Sequence, residues 1–150
     1  VPDLLSPHHL PEVVGRPVGE SSWRRITQSQ IDRFAAVTGD HQWIHVDPTR
    51  AAAGPYGTTV AHGFFTLALI APMLDEVFRV HAALVVNKGL DRVRFTAPVP
   101  AGSWIRLTAT LKSATARPRG YTEAVIAVAI EIRDHPRPAC TADWRILLQA

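Results

Sequence analysis

The pattern of apolar and polar positions changes character near His81. Before it, apolar residues recur at helical spacing. Ile31, Phe34 and Ala35 line one side of a helix that Thr27 and Gln30 open as a capping box. Gly39 stands where a left-handed residue would end that helix. Asp40 therefore begins an irregular stretch fixed to a rigid helix end. A second helix is predicted from Phe64 to about Val77; it is apolar on nearly every side and is expected to be buried all round. Between the two, residues 46–62 read as a long excursion, with one helical turn at Pro48–Ala53 and Asp47 as its cap.

After His81 strict alternation takes over. "ALVVNKGLDRVRFTAPV", "SWIRLTATLKSATA", "YTEAVIAVAIEIRD" and "ACTADWRILLQ" read as four successive strands, with Val93 and Phe95 set against Arg92 and Arg94. "APVPAG" and "ARPRG" read as turns joining antiparallel neighbours. "GESSWRRIT" at 19–27 has β character and predicts a short first strand or a connection. Residues 1–17, punctuated by proline, predict an extended or partly helical N-terminal arm on a single domain spanning 1–150. The expected architecture is α+β, one apolar helix wrapped by a strongly curved antiparallel sheet. A single layer of sheet leaves a face or an edge open, and a homodimer is its natural remedy.

Composition narrows this picture. A chain of 150 residues, 47% hydrophobic and 19% charged, has the size and balance of one globular domain. The net charge of +3 is scattered, with no basic stripe and no nucleic-acid reading motif. It suits a phosphate-bearing small molecule instead. Lys88 and Lys112 are the only lysines beside many arginines, which points to a GC-rich bacterial gene. Cys140 is the single cysteine, so an internal disulfide and a cysteine metal site are excluded. A reducing cytoplasmic compartment is expected, with Cys140 a small buried residue in a strand. Residues 1–20 lack the apolar run of a signal peptide, and "GFFTLALIAPML" (63–74) is short and broken by Pro72. A soluble protein without membrane insertion is expected. His8 and His9 are adjacent and read as part of a polar loop, and no metal site is assigned.

The candidate chemistry lies in "GDHQWIH" at 39–45. Asp40 and His45, brought together by a turn, make a general acid–base pair about one water. Spacing alone equally admits a polar turn with a structural histidine. The second element is "AHGFF" at 61–65, where Gly63 opens the apolar helix. Free backbone N–H groups there stabilise an oxyanion. Equally, the glycine is explained by a turn with no room for a side chain.

Taken together, "FAAVTGDHQWIHVDPTRA" (34–51) and "TTVAHGFFTLALIAPML" (58–74) resemble the signature of the MaoC-like, (R)-specific enoyl-CoA hydratases, or hydratase 2. Phe34, Val37, Thr38, Gly39, Asp40, Ile44, His45 and Ala51 fill the positions of that signature, and "RFTAPVPAGSWIRL" (94–107) is similar to a later family segment. The resemblance implies a hotdog fold, with the 64–77 helix as the sausage, and a homodimer with sites near the subunit interface. It implies reversible hydration of a trans-2-enoyl-CoA to the (R)-3-hydroxyacyl-CoA, with coenzyme A part of the substrate and no separate cofactor. Asp40 and His45 would hold the water, His45 taking its proton. The Gly63 N–H would stabilise the thioester oxygen, with His62 in support. An acyl-carrier-protein thioester is the alternative substrate form.

The family's Asn-Pro step is replaced here by Gln42 and Trp43. Gln42 keeps a hydrogen-bonding group with longer reach. Trp43 adds apolar surface, either for the acyl chain or, as favoured, for packing on the domain. His41 is expected to point elsewhere. Arg92 and Arg94 fall on a solvated sheet face, with a contact to coenzyme A phosphates as the alternative. Two rivals share the fold: an acyl-CoA thioesterase and a non-catalytic acyl-binding subunit. The Asp40–His45 spacing favours the hydratase.

Overall fold

In the computed structural model, which describes residues 5–150, the capping box closes as its sequence predicts. Thr27 Oγ1 accepts from the Gln30 N–H (3.2 Å), and Gln30 Oε1 accepts from the Thr27 N–H (2.9 Å). The helix they open, α1 (Gln28–Thr38), buries Ile31 and Ala35. It ends at Gly39 with φ 81°, whose N–H bonds the Ala35 carbonyl. Two short helices follow, α2 (Trp43–Val46) and α3 (Pro48–Ala52). Asp47 caps α3 by accepting from the Arg50 N–H at 3.0 Å.

The apolar run does not form one helix buried all round. It divides into α4 (Gly63–Ala68) and α5 (Ile70–Leu74), with Leu69 between them. Pro72 has no N–H to give the Ala68 carbonyl, so the helical ladder cannot pass through unbroken. Ile70, Met73 and Leu74 face the core, whereas Phe64 is 71% exposed and Ala68, Ala71 and Pro72 also face outward.

The sheet comprises β1 (Pro17–Glu20), β2 (Arg24–Arg25), β3 (Leu84–Phe95), β4 (Trp104–Arg117), β5 (Tyr121–Ile132) and β6 (Cys140–Gln149). The strands pair antiparallel, in the order β1-β4-β5-β6-β3, with β2 also on β4. Along β5 every second residue from Thr122 to Ile132 is buried. Those residues join Ile105, Leu107 and Leu111 of β4 and Ile146 and Leu148 of β6 against α5 and Ile31. Each fully buried aliphatic chain of this kind contributes about 1.5–3 kcal/mol. The result is the expected α+β hotdog arrangement, a curved antiparallel sheet around a central helical segment.

Two local expectations are corrected. "ARPRG" does join the antiparallel neighbours β4 and β5, but "APVPAG" does not join a pair. β3 and β4 lie apart in the sheet, and the chain crosses between them. Phe95 is not an inward partner of Val93 either. A register shift between Asp91 and Arg94, with Arg92 at φ 53°, re-aims the strand and leaves Phe95 49% exposed.

The N-terminal segment is more than a draped arm. A 3-10 stretch at Pro7–Val13 drives Pro7 and Leu10 into the core, while His8 and His9 stay exposed. Cys140 is fully buried, and burial pushes its thiol up to about 11, which disfavours the thiolate. Among the described residues, no helix is long and apolar enough to cross a membrane.

Candidate active site

Three segments meet at one end of α1. The first is the loop from Gly39 into α2, which hangs on the helix end. The Asp40 N–H donates to Thr38 Oγ1 (3.3 Å), and Asp40 Oδ1 accepts from the Gln42 N–H (3.3 Å). That side-chain turn holds the Asp40 carboxylate at the protein surface.

The second segment is α2 itself, one turn long and unable to stand alone. Gln28 of α1 donates to the His45 carbonyl (2.7 Å) and accepts from the Thr59 hydroxyl. The third segment, residues 59–62, completes the stitching. Val60 N–H donates to the Ile44 carbonyl (3.0 Å), and Ala61 N–H donates to the Val99 carbonyl (2.8 Å).

His45 is thereby fixed in both position and tautomer. Its Nδ1 lies 2.7 Å from the Val60 carbonyl oxygen, and a carbonyl only accepts. Neutral His45 must carry its proton on Nδ1, which leaves the Nε2 lone pair for chemistry. The same reasoning applies to His62, 2% exposed, whose Nε2 lies 2.9 Å from the Asp40 carbonyl oxygen. His62 donates from Nε2, and its buried Nδ1 has no partner. The two imidazoles stack, with centroids 3.8 Å apart and planes at 25°. Phe34 packs on the other ring, its centroid 4.9 Å from that of His62.

An Asp40 carboxylate oxygen and one ring nitrogen from each histidine all lie within 4.8 Å of one another. That separation suits a shared water.

His45 opens onto a cleft of about 260 Å³ that Gly63 and Thr66 of α4 also line. The rest of the wall is largely apolar, including Tyr56, Val60 and Phe95. The first two N–H groups of α4, on Gly63 and Phe64, precede the first bonds of the helix, which Phe65 and Thr66 make to the His62 carbonyl. A Cβ on Gly63 would sit 3.2 Å from the Phe95 ring, so crowding is a second reason for glycine there. Larger hollows of about 720 and 680 Å³ lie elsewhere on the sheet, but neither is lined by His45 or Gly63. Chemistry, not size, selects the smaller cleft.

The structure thus groups Asp40, His45 and His62, sets Gly63 beside His45 on the cleft, and leaves out the side chains of Gln42 and Trp43. Gln42 is exposed at the start of α2 and makes no side-chain cap. Trp43 packs over the excursion that follows it. The Arg50 guanidinium lies 4.4 Å from its ring centroid, and a Cβ on Gly54 would clash with the ring at 2.9 Å. Packing on the domain, not the cleft, is the role its contacts display. Gln28, Thr59 and the Val60 carbonyl escaped the sequence reading. Only their distance in the chain hid them, since each is polar and close to a capping or turn signal.

Comparison with known proteins places the chain in a family. Residues 10–131 match the model of the MaoC-like domain family. The 3-hydroxyacyl-thioester dehydratase Z of Mycobacterium tuberculosis is 47% identical over 135 residues, covering 89% of each chain. Nodulation protein N of Rhizobium leguminosarum bv. viciae is 40% identical over 148 residues, covering 97% of this chain and 92% of that one. In structure, the chain is similar to the monoamine oxidase regulatory protein from Archaeoglobus fulgius, with a TM-score of 0.80 at 23% identity and 91% of each chain covered. With the family match spanning most of its length, the chain belongs to the MaoC-like dehydratase family and is an enzyme of the hydratase/dehydratase class.

Proposed function

We propose that this enzyme interconverts a trans-2-enoyl thioester and the (R)-3-hydroxyacyl thioester, with coenzyme A as the expected carrier. The observation that carries the reading is the tautomer of His45. Its Nδ1–H is engaged by the Val60 carbonyl, so Nε2 is left for chemistry on a histidine that lines a largely apolar cleft and has an Asp40 carboxylate oxygen within 4.8 Å of a ring nitrogen.

In the hydration direction, Asp40 and His45 Nε2 hold one water against C3 of the enoyl group. His45 takes a proton from the water as its oxygen bonds C3. The C2=C3 electrons move toward the thioester, whose oxygen gathers negative charge. The Gly63 N–H at the start of α4 faces that charge and stabilises it. A proton then returns from the Asp40–His45 constellation to C2, completing addition of water across the double bond. His62 holds the Asp40 backbone and supports the face of His45. The single buried cysteine supports a cytoplasmic setting.

Stereochemistry tests the reading. Given (R)- and (S)-3-hydroxybutyryl-CoA separately, the enzyme is expected to generate enoyl-thioester absorbance from the (R) compound alone. Equal rates with both, or turnover of (S) only, would contradict it.

We further infer a homodimer. β3 has no partner on its outer edge among the described residues, and Leu84, Val85 and Phe95 expose 46%, 54% and 49% of their surfaces. Phe64, 71% exposed, packs edge-on to Phe95 with centroids 6.4 Å apart. Phe64 and Phe95 form an apolar margin beside the cleft, and Leu84 and Val85 add exposed apolar surface at the other end of β3, all of which a second copy would cover. Sedimentation equilibrium should give twice the chain mass, and Val85→Asp should shift it toward one. A monomer in the unaltered protein would refute the dimer without touching the chemistry.

A further inference from the structure

We propose that a groove beside the cleft binds the phosphate end of the thioester's carrier, with Arg133 as its donor; this rests on the thioester reading above. The groove, about 680 Å³, lies where the β5–β6 connection passes Trp23. Arg133 is held there between two indoles, its guanidinium carbon 4.8 Å from the Trp23 ring centroid and 4.9 Å from that of Trp104. A guanidinium stacked on aromatic faces keeps its in-plane N–H edge available, and that fork matches a phosphate.

Arg133 combines its place on two indoles with the lack of an acid, whereas several arginines of the sheet are already paired. Arg24 pairs with Glu76, Arg145 with Asp91 and Glu123, and Arg92 with Asp143. Of the two residues that sequence offers for a phosphate contact, Arg92 is therefore already engaged, and Arg94 has no acid but donates to the Val93 carbonyl (2.8 Å). Within the groove, Arg106 takes both Glu20 and Glu131. Arg133 makes no ion pair and no side-chain hydrogen bond among the described residues. Arg137, also lining the groove, adds a second cation without an acidic partner, against the carboxylate of Asp134. A cation stacked on two rings with unused donors is the arrangement that an incoming anion completes.

Its position links it to the reaction. Thr96 Oγ1 donates to the Pro138 carbonyl, and the Thr96 N–H donates to the Ala139 carbonyl at 3.1 Å. Pro138 lines the groove, whereas Thr96 and Ala139 line the cleft of His45. One short wall therefore separates the two. A thioester reacting at His45 must lead its carrier out of the cleft, and across this wall the carrier meets Arg133. Coenzyme A and the phosphopantetheine arm of a carrier protein share the chemistry required, a phosphate.

The test compares Arg133→Ala with the unaltered enzyme in two ways. Coenzyme A binding, measured by calorimetry without turnover, is expected to weaken by about tenfold to a hundredfold, the worth of charged hydrogen bonds. In kinetics, KM for crotonyl-CoA is expected to rise by a similar factor with kcat retained. KM for phosphate-free crotonyl-pantetheine should not move, and its retained turnover shows that the variant is folded. Crotonyl-phosphopantetheine tells the sources apart. A rise with it places Arg133 on the pantetheine phosphate, and a rise with crotonyl-CoA alone places it on the nucleotide's phosphates. Unchanged coenzyme A binding would overturn the proposal, as would an equal rise in KM with the phosphate-free thioester. Because calorimetry needs no hydration, failure of the enzymatic reading would leave the phosphate result interpretable.

Discussion

His45→Gln is expected to lower kcat for crotonyl-CoA hydration by about 10²–10⁴-fold, the range for a lost general base. Glutamine is chosen because it keeps an N–H donor for the Val60 carbonyl, which His45 now satisfies at 2.7 Å. The buried carbonyl stays paired and α2 keeps its place, while the basic nitrogen is gone. Asp40→Asn should lose a comparable factor. Its amide oxygen still accepts from the Gln42 N–H, so the local turn survives while the charge is removed. The double variant is expected to cost little more than either alone, because both groups act on one water and neither works without the other. Multiplicative losses would mean two independent contributions and would separate Asp40 from the proton transfer.

The second large effect belongs to the backbone. Gly63→Pro removes the N–H that the mechanism aims at the developing oxyanion, and kcat is expected to fall by about 10²–10³-fold. Proline is compatible with the start of a helix, where the N–H has no intrahelical partner. His62, at φ −58° and ψ 138°, already has the conformation a residue before proline adopts. Gly63→Ala is the control. Its Cβ meets the Phe95 ring at 3.2 Å, and that ring, being half-exposed, has room to yield. Alanine keeps the N–H and should cost less than about 1.4 kcal/mol of barrier, under tenfold. Equal losses in the two variants would assign the effect to crowding and remove Gly63 from the chemistry.

The legible parts of the fold were those specified within a few residues of themselves. The Thr27–Gln30 cap, the left-handed Gly39, the Asp47 cap and the β5 alternation all appear as their local patterns dictate. What was illegible depends on partners far away in the chain. Alternation marks β3 and β4 as strands but carries no statement of who pairs with whom, so "APVPAG" passed for a hairpin turn. The hydrophobicity of residues 64–74 could not distinguish burial against the chain's own sheet from an apolar margin facing outward at Phe64. The Arg92 bulge has no local signature either, since arginine rarely adopts positive φ.

The site shows the same division. Asp40 and His45 stood close enough in sequence to be singled out, and a family resemblance tied them to Gly63. The residues that fix them, Gln28 and the Val60 carbonyl, lie seventeen and fifteen positions from His45. No spacing rule reaches that far. The neighbours of Trp43, Arg50 and Gly54, come from the excursion just downstream, within reach of a local reading.

The most direct test of the central claim follows one reaction by two signals. Crotonyl-CoA is mixed with the unaltered enzyme and with His45→Gln, and enoyl-thioester absorbance and free thiol are recorded together. Water addition by the Asp40–His45 pair predicts that absorbance falls with the unaltered enzyme, that free thiol stays constant, and that the variant slows the fall by orders of magnitude. Release of thiol, or an absorbance change that His45→Gln leaves untouched, would contradict it.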